Sequence, residues 1–150
     1  MARTSTYLNF PGTTEAAFRF YASVFGTELS PIARMGDVPS APGMPALPEH
    51  EKSYVMHVSV PILGGHVLMG TDTLASMGHE HRPGNTSSLN LEPDSREEAD
   101  RLFTALAEGG KVGLPLQDMF WGAYFGHLTD RFGVQWMMNF DPKAPHVGEG

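Results

Sequence analysis

At 150 residues the chain is the size of one domain, or of two small repeats sharing a core, and its 41% hydrophobic content excludes a wholly disordered polypeptide. The absence of cysteine excludes disulfides, a thiolate nucleophile and every thiolate-bound zinc or iron–sulfur site. Ten basic residues against 17 acidic ones leave a net charge of −7, and the scattered Arg82, Arg96, Arg101 and Arg131 form no basic cluster, which argues against nucleic acid as a partner.

No run approaches the ~18 apolar residues of a membrane span, and residues 1–6 lack the apolar stretch of a signal peptide. The expectation is a cytoplasmic protein with no membrane partner. The 17 glycines and 12 prolines together exceed the usual ~12% share, which predicts many turns and a strand-rich fold.

In chain order, a strand is predicted over Thr6–Phe10. A helix follows over Thr14–Phe25, with Ala17, Phe18, Tyr21, Val24 and Phe25 at helical spacing, Thr13 or Thr14 as N-cap and Gly26 as the left-handed stop. Strands are then expected over Glu28–Met35, Ser53–Ile62 and His66–Thr71, the last two joined as a hairpin through Leu63-Gly64-Gly65. After a strand at Ser87–Glu92, a second helix runs from about Ser95 to Glu108. Its start carries a capping box in Ser95-Arg96-Glu97-Glu98, its buried stripe is Ala99, Leu102, Phe103 and Leu106, and Gly109-Gly110 ends it. Strands over Lys111–Gln117, Ala123–Thr129 and Val134–Phe140 complete the chain, with Asp130-Arg131-Phe132-Gly133 as a turn capped by Asp130. Both halves therefore read strand, helix, three strands, an internal repeat visible in element order.

Two loops interrupt this order. Gly36–Lys52 carries Pro39, Pro42, Pro45 and Pro48 at three-residue spacing, which favours polyproline II in a semi-rigid surface loop or dimer contact. Leu74–Asn85 contains His79-Glu80-His81, read as a solvated loop rather than a metal site because nothing orients the rings. The tail Asp141–Gly150 is expected to fray. If the Leu63–Gly65 turn sets the register, His57 faces Gly70 or Thr71 rather than His66. His57 is then either an acid–base residue or a hydrogen-bonded strand histidine, the latter favoured. There is no P-loop, G-x-G-x-x-G or G-x-S-x-G, and no glycine-rich turn of the kind a nucleotide-type cofactor needs.

The element order resembles the vicinal oxygen chelate superfamily of glyoxalases, bleomycin-resistance proteins and extradiol dioxygenases, and within it the PhnB-like branch labelled 3-demethylubiquinone-9 3-methyltransferase-like. The strings that carry this are Tyr7-Leu8-Asn9-Phe10, Ala16-Ala17-Phe18-Arg19-Phe20-Tyr21 with Phe25-Gly26, Met56-His57, Leu68-Met69-Gly70-Thr71-Asp72, Gly109-Gly110-Lys111-Val112, Trp121-Gly122 and Asp130-Arg131-Phe132-Gly133-Val134-Gln135-Trp136. The resemblance implies an α+β fold in which two βαβββ modules, about residues 6–73 and 86–140 of a single domain over 1–150, curl into a cup of mixed sheet with helices on the convex side. It also implies a homodimer.

In the superfamily's enzymes a divalent metal sits on four strand positions. Matched to the family on Phe20-Tyr21 and Asp130-x-x-Gly133, the resemblance puts these at Thr6, Met69, Ser88 and Met137, one on the first and one on the fourth strand of each module. Two hydroxyls with two thioethers do not hold Zn²⁺, Ni²⁺ or Fe²⁺. No metal and no cofactor is expected. On the aligned cup, strand alternation puts Thr6, Leu8 and Phe10 on one face with Val67 and Met69, and likewise Ser88, Asn90, Gln135, Met137 and Asn139. Leu89, Leu91, Trp136, Met138 and Phe140 fall on the helix-covered side. Phe120, Trp121 and Phe125 close a rim. This lining is either a pocket for a small, weakly polar or aromatic ligand or a cup filled by its own side chains. The candidate ligand-binding residues are Thr6, Leu8, His57, Met69, Ser88, Asn90, Trp121, Gln135 and Met137. The resemblance thus leads to a small-molecule binder without a metal. The alternatives are a metal-dependent lyase or dioxygenase and a drug-sequestering protein, with catalysis left open.

Overall fold

The computed structural model describes residues 2–39 and 42–143. The chain folds into two compact units that divide between Arg82 and Pro83. Each is a βαβββ module, giving the α+β class that the family resemblance implied.

The first unit comprises β1 (Thr6–Phe10), α1 (Thr14–Phe25), β2 (Ala33–Arg34), β3 (Val55–Pro61) and β4 (Val67–Asp72). Its four-stranded sheet has the order β1-β4-β3-β2, with β1 parallel to β4 and the other pairs antiparallel. Ala17, Phe18, Tyr21 and Val24 of α1 are buried, as their spacing predicted. Gly70 supplies the place where the helix lands. A Cβ there would lie 2.4 Å from Cε1 of Phe18, so only glycine admits the ring. Because side chains alternate along a strand, this contact puts Leu68, Gly70 and Asp72 on the helix side and Met69 and Thr71 on the other.

Neither expected threonine caps α1. Thr13 makes no side-chain cap bond, and the cap comes from across the unit: Asp72, itself buried, accepts Thr14 N–H on Oδ1 at 3.0 Å and Val55 N–H on Oδ2 at 2.8 Å. One carboxylate thereby satisfies the helix dipole and the first residue of β3 together. Gly26 ends the helix at φ 66°, as expected. The β3–β4 hairpin turns through Gly64 (φ 66°) and Gly65 (φ 77°). Its register sets Val58 opposite Gly70 and Ser59 opposite Met69, which brings His57 level with Thr71.

The strand expected over Glu28–Met35 shrinks to Ala33–Arg34. Pro31 has no N–H for a ladder. Ser30 replaces part of it by donating its N–H to the Ser59 carbonyl and accepting Ser59 N–H on its hydroxyl, both at 2.9 Å.

The second unit comprises β5 (Leu89–Leu91), α2 (Arg96–Ala107), β6 (Lys111–Asp118), β7 (Tyr124–Thr129) and β8 (Gln135–Phe140), with sheet order β5-β8-β7-β6 and β5 parallel to β8. Ser95 caps α2 by accepting Glu98 N–H at 3.1 Å, and Glu98 reaches back to accept Asp94 N–H at 2.9 Å. Asp130 caps its own turn, accepting Phe132 N–H at 2.8 Å and Val134 N–H at 3.0 Å. Its other oxygen takes the indole N–H of the buried Trp136 at 2.8 Å.

The two long loops are tied together inside the first unit. Buried Glu51 accepts from the backbone N–H of Ser76 at 3.2 Å and from its hydroxyl, and that hydroxyl holds the Glu51 carboxyl below the usual range. His79 is not simply solvated, since its Nδ1 accepts Leu74 N–H at 3.0 Å. The polyproline reading of Pro39–Pro48 falls partly on residues 40–41, and that of the frayed tail on 144–150, outside the described residues. Among the described residues, no helix is long and apolar enough to cross a membrane.

The packing of α1 on Gly70 predicts that Gly70→Ala destabilises the protein by about 1–3 kcal/mol through overpacking. Chemical denaturation should show this as a lower midpoint at unchanged slope.

Candidate functional site

Among the described residues, each sheet is covered on one face by its own α-helix, and the residues that alternate with those beneath it make up a face turned away from that helix, the helix-free face. In the first unit the register pairs Tyr7 with Met69 and Asn9 with Thr71, so these four share the helix-free face with His57 and Ser59. Tyr7, 49% exposed, brings its hydroxyl to 3.5 Å from Nδ1 of His57, the two rings lying 6.1 Å apart across β4. The Ser5 hydroxyl points at the Met69 sulfur at 3.9 Å.

In the second unit Asn90 pairs with Met137, His127 with Met137 from the other side, and Phe125 with Asn139. Gln135 lies opposite Thr129 and donates its amide to the Ser87 carbonyl at 2.8 Å. Trp121, in the turn between β6 and β7, reaches Phe125 with 6.4 Å between ring centres.

The structure therefore places Met69 and His57 together on one face, and Asn90, Gln135 and Met137, with Trp121 against Phe125, on the helix-free side of the other, while Ser88 stands exposed just before β5. Leu89, Leu91, Trp136, Met138 and Phe140 lie on the covered side, as alternation predicted. Thr6 and Leu8 do not join Met69. They pair with Leu68 and Gly70, on the side that α1 covers, and Phe10 is fully buried there. The Thr6 hydroxyl is engaged with Nε2 of His66 at 2.8 Å. Sequence reasoning missed Tyr7. The signal was available in the internal repeat: Leu8, opposite Gly70, corresponds to Leu91, opposite Met138, and Tyr7 to Asn90.

These faces carry little charge. On the second unit, Lys111 at the end of β6 is the charged member of the helix-free set, while the ion pairs sit on the α2 side. There Arg96 grips Asp118 in a two-pronged contact at 2.7 and 2.9 Å, stands 3.9 Å over the Tyr124 ring, and holds the Asp118 carboxyl below its ordinary range. Tyr124 donates its hydroxyl to Asp100 at 2.5 Å, and that bond pushes its ionisation up.

A metal is not suited by these residues. Met69 and Met137 occupy equivalent places in the two sheets, each flanked by hydroxyls, amides or rings, and Thr6 is turned to the helix. Among the described residues no three His, Asp or Glu side chains gather into a metal-holding group. Thioether and neutral hydroxyl donors do not replace the imidazole and carboxylate ligands that Zn²⁺ or Fe²⁺ need.

The chain matches the family model described as 3-demethylubiquinone-9 3-methyltransferase over residues 2–139. It belongs to that family. It is 34% identical over 146 residues to Protein YjdN of Escherichia coli K12, covering 94% of this chain and 97% of that one. Among solved structures it is similar to protein PA1353 of Pseudomonas aeruginosa, with 36% identity, a TM-score of 0.79 and coverage of 94% and 98%. A second is a PhnB protein of Bacillus cereus described as a 3-demethylubiquinone-9 3-methyltransferase, with 27% identity, a TM-score of 0.71 and coverage of 93% and 99%. The glyoxylase/bleomycin resistance protein/dioxygenase domain of Frankia sp. EAN1pec shares the fold at 14% identity and a TM-score of 0.62, covering 97% of this chain and 96% of that one.

For this member of the 3-demethylubiquinone-9 3-methyltransferase family, the donor chemistry of both faces predicts no stoichiometric transition metal after ordinary purification. Plasma emission analysis checks this; about one Ni, Zn or Fe per chain, lost on replacing Met69 and Met137, would contradict it.

Proposed function

We propose that the protein binds a small, weakly polar organic molecule without a metal, on the helix-free faces of its sheets. His57 and Met69, with Tyr7, serve on the first unit. Ser88, Asn90, Gln135 and Met137, with Trp121, serve on the second. The observation that carries this reading is the composition of those faces: thioethers, rings and neutral hydrogen-bonding groups, held by regular strands and nearly free of charge. Such a surface binds through shape and a few hydrogen bonds.

The family description names a methyl transfer. The residues here offer little to a nucleotide-type methyl donor. The turn Pro11-Gly12-Thr13 after β1 carries a single glycine, and the α1 terminus it leads to is already taken by the Asp72 carboxylate. Binding without assigned turnover is therefore the function supported best.

Ser88 tests this reading because it is exposed immediately before β5, where strand alternation puts it with Asn90. Ser88→Trp is expected to abolish binding of a neutral fluorescent probe, N-phenyl-1-naphthylamine, while leaving the melting temperature unchanged. If that face were instead packed shut, the added bulk would cost about 1–3 kcal/mol and lower the melting temperature by several degrees.

We also propose a C₂ homodimer. β6 is an eight-residue edge strand, exposed along most of its length, and such edges are usually covered or blunted. A specific contact would bury roughly 1,000 Å² or more in total. Light scattering at micromolar concentration should give twice the 16.3 kDa chain mass, and a mass of one chain would refute the dimer.

A further inference from the structure

The helix-free face of the second unit carries a row of partly exposed rings. Trp121 and Phe125 lie 6.4 Å apart at 59°, and Phe125 and His127 are again 6.4 Å apart at 67°, all within the range of favourable ring contacts. Phe120, 97% exposed, extends the row edge-on to Trp121 at 4.9 Å, and Trp121 is 53% exposed. His127 has a prepared seat: its ring lies over Gly113, where a Cβ would come within 2.5 Å of Cε1 and Nδ1. Directly across the strand from Phe125 stands Asn139, whose Oδ1 is shielded from water and has no hydrogen-bond donor. A buried acceptor left in this state is uncommon, because it has given up water without replacing it.

A row of partly exposed rings and one acceptor lacking a donor call for the same occupant. We propose that the Trp121–Phe125–His127 row is a subsite for a flat aromatic ring bearing an O–H or N–H on its rim, which donates to Asn139. The ring lies against Phe125 and Trp121, and the Asn139 amide turns about its last torsion to accept the rim proton. Met137, opposite His127, gives the far edge a polarisable sulfur, a favourable neighbour for an aromatic ring. This rests on the small-molecule reading above and narrows it to one chemical class and one unit of the chain.

The test uses the full chain and three probes of similar size in isothermal titration calorimetry: 2-naphthol, 2-methoxynaphthalene and trans-2-decalol. The first has ring and donor, the second has the ring alone, and the third has the donor on a saturated skeleton. The expected result is that 2-naphthol binds at least about tenfold more tightly than either of the others. Phe125→Leu should weaken 2-naphthol about tenfold, and Asn139→Ala should erase its advantage over 2-methoxynaphthalene. Nuclear Overhauser contacts between 2-naphthol and the Phe125 ring in the unaltered protein give the same answer should a variant fail to fold. Equal binding of 2-naphthol and trans-2-decalol overturns the subsite while leaving the small-molecule reading intact. So does 2-naphthol binding that Met69→Ala abolishes and Phe125→Leu does not change. Absence of binding by all three probes also overturns the subsite, and the Ser88→Trp scan then decides the broader reading on its own.

Discussion

The close approach of Phe18 to Gly70 decides which side of the first sheet is covered. A strand's side chains alternate, so fixing one residue of β4 against the helix fixes the side on which every paired residue of β1 and β3 stands. Tyr7, His57, Ser59, Met69 and Thr71 are turned away from α1 as a consequence of one missing Cβ. The second unit reaches the same partition by another device. Trp136, at the place of Leu68 in the repeat, is buried on the α2 side and held by its indole N–H to Asp130, which leaves Met137 facing outward.

Buried carboxylates serve the same division. Asp72 ties the start of α1 to the start of β3, Asp130 holds the β7–β8 turn, and Glu51 binds one long loop to the other. Each is occupied by N–H or hydroxyl donors, as buried charges must be. The buried charges thus serve the architecture, and the strand faces turned away from the helices carry little charge, Lys111 at one end of β6 among it. This is why the site suits recognition by shape and hydrogen bonding more than by ion pairing.

Both helices were legible in the sequence because their apolar spacing agrees with the packing found, and because the Gly26 stop of α1 and the Ser95 cap of α2 both form; α2 itself ends at Ala107, with an extended Glu108 before Gly109. The second half of the candidate site was legible for a similar reason: Leu89, Leu91, Trp136 and Met138 alternate cleanly with Ser88, Asn90, Gln135 and Met137. β1 defeated the same argument. Tyr7 and Asn9 alternate with Thr6, Leu8 and Phe10, and local sequence does not say which set a helix will cover. That choice is made by Gly70 and α1, through parallel pairing with a strand 62 residues further along the chain. The α1 cap and the shortened β2 were hidden likewise, since Asp72 and the Ser30–Ser59 exchange act only once distant strands have met.

The central claim is that small molecules are met by the helix-free faces and not by the covered ones. Met137 and Met138 are adjacent in sequence and lie on opposite sides of one strand, which makes them a built-in control. Carbon-13 labelling of the methionine methyl groups, followed by titration with N-phenyl-1-naphthylamine, reads both sides at once. The account predicts that the Met137 signal moves with probe concentration while that of buried Met138 stays in place. A Met138 signal that moves as far as Met137, or a Met137 signal that does not respond to bound probe, would contradict it.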